Sequence, residues 1–236
     1  MEKFCVTLAQ TTLSLKAHHP FTKAACKGYE APASALPAFC AVASPEEIAQ
    51  ALAEGAPDEG YGEFICLHRQ IAEHIPKFGA VVVHGAAITY ADSAVLFMAP
   101  SGTGKTTHIR LWKQVFGQKV SIINGDKPML RTYPTATVYG TPWAGKEGWQ
   151  QNRSAPLKAI CLLRQAHSNR IEKQDPVNCL PQLLQQVYLP RDPEAMAKTL
   201  TIFQELLNQV PVYLLECNME PDAATVACQG MMEAIG

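Results

Sequence analysis

One nine-residue segment constrains this chain more than any other: Ala99-Pro100-Ser101-Gly102-Thr103-Gly104-Lys105-Thr106-Thr107. The apolar run Ala94–Met98 before it reads as a buried strand. The run after it carries Ile109, Trp112, Val115 and Phe116 at helical spacing and stops at Gly117. Strand, glycine-rich turn and helix, in that order, are the setting of a phosphate-binding loop of pattern G-x-x-x-x-G-K-[ST]. Gly104, Lys105 and Thr106 meet three of its four fixed positions, and Ala99 replaces the first glycine. The backbone N–H groups of Ser101, Gly102, Thr103, Gly104 and Lys105 can converge into an anion nest, and the helix N-terminus adds its partial positive charge. Lys105 then reaches phosphate oxygens, the Thr106 hydroxyl is placed to ligate Mg²⁺, and Thr107 completes the loop.

A phosphate loop needs an acid to complete a metal site. Asp126 follows the apolar run Val120–Asn124, where an acid that binds Mg²⁺ or accepts a proton is expected. The expected metal residues are therefore Thr106 and Asp126. His84 lies in the apolar stretch Gly79–Tyr90, where a lone histidine is ordinarily a satisfied core residue. Trp143, Lys146 and Trp149 fall on a glycine-containing loop that reads as a lid. His68 and His74, six apart, do not share a helix face, so no metal site is expected there.

The surrounding pattern is α/β. Residues 1–63 read as an N-terminal annex that could face a substrate, and residues 64–236 as the core. Phe4–Leu15 reads as a short strand pair, and Ser44-Pro45-Glu46-Glu47 as a helix start. Gly60 and Gly62 read as a loop, and a helix follows with Phe64, Leu67, Ile71 and Ile75 on one face, closed by Pro76. Gly79–Tyr90 reads as one strand. Further strands are expected at Thr135–Tyr139, Ala159–Leu163 and Val210–Leu215, with helices near 176–188 and 193–208.

Composition excludes several classes. Hydrophobic residues make up 47% of the 236, enough for a sizeable core. The formal net charge of -1 leaves no electrostatic footprint for nucleic acid or an anionic membrane. No apolar run approaches the ~20 residues of a membrane span, and the N-terminus lacks the apolar core of a signal peptide. The eight cysteines form no C-x-x-C pair and read as reduced, mostly buried side chains of a cytoplasmic protein. Self-association is left open.

Several motifs in order resemble the HPr kinase/phosphorylase-like serine kinases, whose phosphate loop is shared with phosphoenolpyruvate carboxykinases. They are the strand with His84-Gly85, the loop 99–107, Thr107–Trp112, Asn124-Gly125-Asp126-Lys127-Pro128, Tyr139–Lys146, Asn152 and Ala155–Ile160, over about residues 64–165. The resemblance implies a carboxykinase-like P-loop domain with a mixed central sheet. It also implies an ATP- and Mg²⁺-dependent kinase acting on a hydroxyl, commonly serine, of a protein, peptide or free metabolite. It raises His84 to a site residue beside Asp126 and Lys105. Arg110, Lys127, Lys146 and Arg153 become candidate charge stabilisers, with Trp143 and Asn152 on the substrate side. Gly125 stands where the family pattern has a first acid. That departure gives weight to a second expectation, a nucleotide-binding regulatory module without transfer; a carboxykinase-like enzyme of small acids is a third. The donor could be ATP, GTP or pyrophosphate.

Overall fold

The structure, a computed structural model, describes residues 1–32 and 34–235. Its N-terminal part is a small sheet: β1 (Glu2–Leu8) pairs antiparallel with β2 (Thr11–Ala17), and β3 (Cys40–Val42) runs parallel to β2. The two hairpin residues, Ala9 and Gln10, both have positive φ, as a tight turn that matches strand twist requires. Helices α1 (Pro20–Ala25), α2 (Pro45–Ala53) and α3 (Glu59–His74) follow. Ser44 and Glu47 cap α2 reciprocally.

Helix α3 begins at its N-cap Asp58, so Gly60 and Gly62 lie inside it and not in a loop. The reason is packing. A Cβ on Gly60 would sit 3.0 Å from the Phe21 Cβ, and one on Gly62 would sit 3.6 Å from that of Ala51, so small residues let α1 and α2 approach. Helix propensity yields to that tertiary contact. The 63/64 division between annex and core therefore falls within a helix. Glu63, fully buried, accepts hydrogen bonds from the His18 and His19 amides and from the Thr22 hydroxyl, satisfying the start of α1. One hydrophobic cluster joins Leu13, Leu15 and Leu67 to Val82, Met129 and Trp143, so annex and core share an interior.

The core contains β4 (Val81–Val82), β5 (Gly85–Tyr90), β6 (Ser93–Met98), α4 (Lys105–Phe116), β7 (Val120–Asn124), β8 (Met129–Arg131), β9 (Thr137–Tyr139), β10 (Ser154–Gln165), β11 (Arg170–Gln174), α5 (Pro176–Leu184), α6 (Pro193–Gln209), β12 (Val212–Cys217) and α7 (Asp222–Ile235). The larger sheet has the order β4-β8-β9-β10-β6-β5-β7, with β12 beside β10 and β11 outside it. It is mixed: β6 is parallel to β10 and antiparallel to β5. Alternate residues feed two layers. Leu96, Met98, Ile160 and Leu162 pack with α5 and α6, while Val95, Phe97, Ala159 and Cys161 pack with α4 and α7. The chain is α/β.

The expected single strand 79–90 is broken at Val83-His84: β4 pairs with β8, and β5 with β6 and β7. The break turns His84 out of the core. The edge strand β11 reads Arg-Ile-Glu-Lys-Gln and carries too little apolar periodicity to be seen in advance. Among the described residues no helix is long and apolar enough to cross a membrane.

Candidate functional site

Strand directions bring the site together. Because β5 runs antiparallel to both β6 and β7, its start meets their ends: Gly85 lies opposite Met98, and Ala87 opposite Asn124. His84, the loop 99–104 and Asp126 therefore share the carboxyl edge of β6 and β7, where ligands bind in α/β sheets. The Gly85 amide donates to the Asp126 carbonyl at 2.9 Å, fixing that junction.

Within the loop the Thr103 amide donates to the Pro100 carbonyl at 3.3 Å, so that amide does not stand free for the expected nest. Gly102 (φ 81°) and Gly104 (φ 114°) occupy the left-handed region, and Gly104 is the N-cap of α4 with no side chain covering the helix end. Ala99, in place of a first glycine, is buried and is not among the positive-φ residues. Ser101 and Gly102 are exposed, while Thr103, Gly104, Thr106 and Thr107 are half-buried. Lys105 is folded back: its Nζ donates to the carbonyls of Ala99 at 2.7 Å and Pro100 at 3.3 Å. Burial lowers its pKa to about 8, against the attraction of Asp126 and with the help of Lys127. A phosphate group would take over the interaction those carbonyls now supply.

Asp126 is the polar centre. Its Oδ1 lies 3.3 Å from His84 Nε2 and 3.2 Å from Lys127 Nζ. Burial alone would raise its carboxyl, but the His84 hydrogen bond and the Lys127 charge outweigh it and hold the group below the usual carboxylate range. Two supports were missed in the sequence. The amides of Asp126 and Lys127 donate to Asn124 Oδ1, and the Asn124 side chain itself donates to the Thr141 carbonyl. Gln186, 102 residues from His84, places its Oε1 3.0 Å from His84 Nδ1 and accepts the His84 amide at 2.7 Å. A buried asparagine at a strand end hints at the first; the second is purely tertiary.

The loop 140–150 corrects the lid reading at Trp143. That residue is buried, stacks on Phe64 at 4.9 Å and donates its indole N–H to the Phe64 carbonyl, so it pins the loop to α3. Arg110 bonds Glu147 at 2.8 Å and lies over the Trp149 ring, tying the loop to α4. Lys146 and Arg153 are exposed, and Asn152 donates to the Gly28 carbonyl of the annex. Lys127 points into the Asp126 cluster. Gly125 is covered: a Cβ there would meet the Ala144 carbonyl at 3.1 Å and the Trp149 Cβ at 3.4 Å, and its amide donates to the Trp149 carbonyl.

Two cavities flank this centre. One of about 630 Å³ opens on Gly102, Gly104, Thr107, His108 and Gln165. The other, about 490 Å³, lies between annex and core and is lined by Phe64, His68, Asp126, Lys127 and Trp143. Among the described residues no three His, Cys, Asp or Glu side chains cluster as metal ligands. One hydroxyl, of Thr106, and one carboxylate, of Asp126, beside a glycine-rich loop are donors of the kind that could hold Mg²⁺ together with phosphate oxygens and water.

Residues 63–222 match the family model described as SynChlorMet cassette protein ScmC. That finding overturns the assignment to the HPr kinase/phosphorylase-like serine kinases. The motifs behind that resemblance lie inside the matched region; they are short local patterns, which do not by themselves fix a lineage. A search of curated proteins gave no match. With more than half of its length matched, the chain belongs to the family of the SynChlorMet cassette protein ScmC.

Proposed function

We propose that the protein is an ATP- and Mg²⁺-dependent kinase that phosphorylates a hydroxyl. One observation carries the reading: an uncapped helix N-terminus behind a Gly102/Gly104 loop shares a sheet edge with the paired His84 and Asp126. The finer fold reading, a phosphate-loop domain of carboxykinase type, belongs to the same proposal; β6 set in a mixed sheet supports it.

In this reading the acceptor oxygen attacks the γ-phosphorus, the bond from that phosphorus to the β–γ bridging oxygen breaks, and ADP leaves. The acceptor proton passes to the Asp126 carboxylate. A loose transition state asks little of a base, so a carboxylate held low can orient the hydroxyl and take the proton late. His84 and Lys127 keep that carboxylate ionised and aimed. Lys105 and the loop amides bind the phosphates. Mg²⁺, when bound, supplies charge neutralisation; the Thr106 hydroxyl would hold it directly and Asp126 through a water, which leaves the carboxylate free for the proton.

A second reading, nucleotide binding without transfer, is favoured by Gly125, where a second acid is absent and an added Cβ would crowd the Ala144 carbonyl. Thermal-shift titration with ATP–Mg²⁺ beside a phosphate-transfer assay separates the two. Stabilisation accompanies both, and only the kinase moves γ-phosphate into a product. No stabilisation at all sinks both.

A further inference from the structure

The kinase reading leaves the acceptor unnamed. We propose that the cavity of about 490 Å³ between annex and core is the acceptor site, and that it takes a neutral alcohol or phenol carried on an apolar, ring-sized body. The inference rests on that reading and narrows it.

Position is the first argument. Asp126 lines this cavity and does not line the larger one beside the phosphate loop. A hydroxyl entering here meets the carboxylate, with the phosphates on the other side.

Shape is the second. Phe21 stands edge-on to Phe64 at 5.6 Å, Phe64 stacks on Trp143 at 4.9 Å, and His68 tilts against Trp143 at 5.0 Å. These rings form a wall already locked by the Trp143 hydrogen bond to the Phe64 carbonyl. Offset and edge-on contacts of this kind receive another ring or a compact apolar body.

Charge is the third. Asp126 is balanced by Lys127 and His84, and Arg69 at the cavity is paired with Glu54 at 2.7 Å. An aromatic box can attract cations, but the charged side chains lining this cavity are paired, Lys127 with Asp126 and Arg69 with Glu54, so among the described residues neither an unpaired carboxylate nor an unpaired cation is there to select an ion. A neutral ligand fits.

His68 adds a polar handle. It is 7% exposed, its Nε2 has no hydrogen-bond partner, and burial lowers its pKa to about 3, so the ring is neutral at working pH. A buried unpaired ring nitrogen costs stability unless something pairs with it. Nε2 is closed to solvent as the ring stands, and a rotation of the ring would bring it to a polar group on the ligand, second to the hydroxyl at Asp126.

The test uses 5-fluorotryptophan-labelled full-length protein, the three tryptophan resonances being assigned by Trp→Phe variants. 3-Hydroxybenzyl alcohol, a ring carrying two hydroxyls, is the probe and free L-serine the control. The probe is expected to shift the Trp143 resonance saturably, L-serine to leave it in place. His68→Phe, and separately Ala25→Phe, which fills the cavity from α1, should each weaken the response about tenfold. The assignment is overturned if Trp143 shows no saturable shift, if both variants respond like the parent, or if L-serine shifts it equally. No nucleotide is needed. Absence of the shift in a protein still stabilised by ATP–Mg²⁺ overturns the cavity assignment alone. A full His68-dependent shift in a protein that ATP–Mg²⁺ does not stabilise supports the ligand class and overturns the kinase reading.

Discussion

His84 Nε2 lies 3.3 Å from Asp126 Oδ1, while Gln186 holds the opposite ring nitrogen at 3.0 Å. The imidazole is thus gripped from both sides, and both grips depend on its proton pattern. With the amide oxygen facing Nδ1, the imidazolium satisfies both contacts; with the amide turned over, a neutral ring protonated at Nε2 does so. In either arrangement a proton points at Asp126. His84→Ala should therefore raise the Asp126 pKa and lower phosphoryl transfer about 10²-fold, read by carboxyl ¹³C NMR and by product formation. An unchanged Asp126 titration would mean that the pair is not coupled.

Lys105 is buried against two carbonyls without a counter-ion in contact. Holding it there costs stability that a phosphate ligand would return. Lys105→Met should abolish stabilisation by ATP–Mg²⁺ in a thermal-shift titration while the free protein stays folded, the relief of a buried charge offsetting the loss of its bonds to two carbonyls. Equal stabilisation of variant and parent by nucleotide would remove Lys105 from the proposed site.

Nucleotide affinity should fall as pH rises through Lys105's titration. The free-protein pKa is depressed to about 8. A polyanion binds the protonated form, so binding takes up a proton above that value and none below it. Affinity should be flat between pH 6.5 and 7.5 and about tenfold weaker at pH 9 than at pH 7. Calorimetry in two buffers of different ionisation enthalpy measures the proton uptake directly. The same depression has a stability consequence with the opposite slope: between about 8 and the ordinary lysine value the unfolded chain binds more protons, so the free protein gains stability as pH rises.

Gly125→Asp should not simply restore a missing acid. The added Cβ would press on the Ala144 carbonyl and on Trp149, so loop 140–150 must move. We expect a loss of about 1–3 kcal/mol, with faster proteolysis at the exposed Lys146. Arg110→Ala should loosen the same loop at lower cost, because its bond to Glu147 is at the surface. If Gly125→Asp leaves both stability and proteolysis unchanged, the tight cover over this position is not maintained in solution.

Glu63→Ala removes the buried carboxylate that satisfies the start of α1. Three donors lose their partner, and a cost of about 3–5 kcal/mol is expected in denaturant unfolding. Because α1 carries Phe21 and Ala25 to the cavity wall, ligand binding there should fail with it.

The residues that speak locally were legible in the chain alone. A strand, two glycines, a lysine and a helix are consecutive, so the glycine-rich turn between strand and helix follows from neighbours, as do the Ser44 capping box and the Gly117 stop. Asp126 was legible for the same reason, one turn past a strand. What folding decided lies between distant segments. His84 leaves the core because β4 and β5 take different partners, and Gln186 reaches it across 102 residues. Trp143 reads as a lid from its glycine-rich neighbours and becomes a pin once Phe64 is beneath it. Gly60 and Gly62 read as loop and become helix because α1 and α2 press against them. Sequence records the backbone's local preferences; burial, ring stacking and the covering of Gly125 depend on which surfaces meet, and that information exists only after the chain has folded.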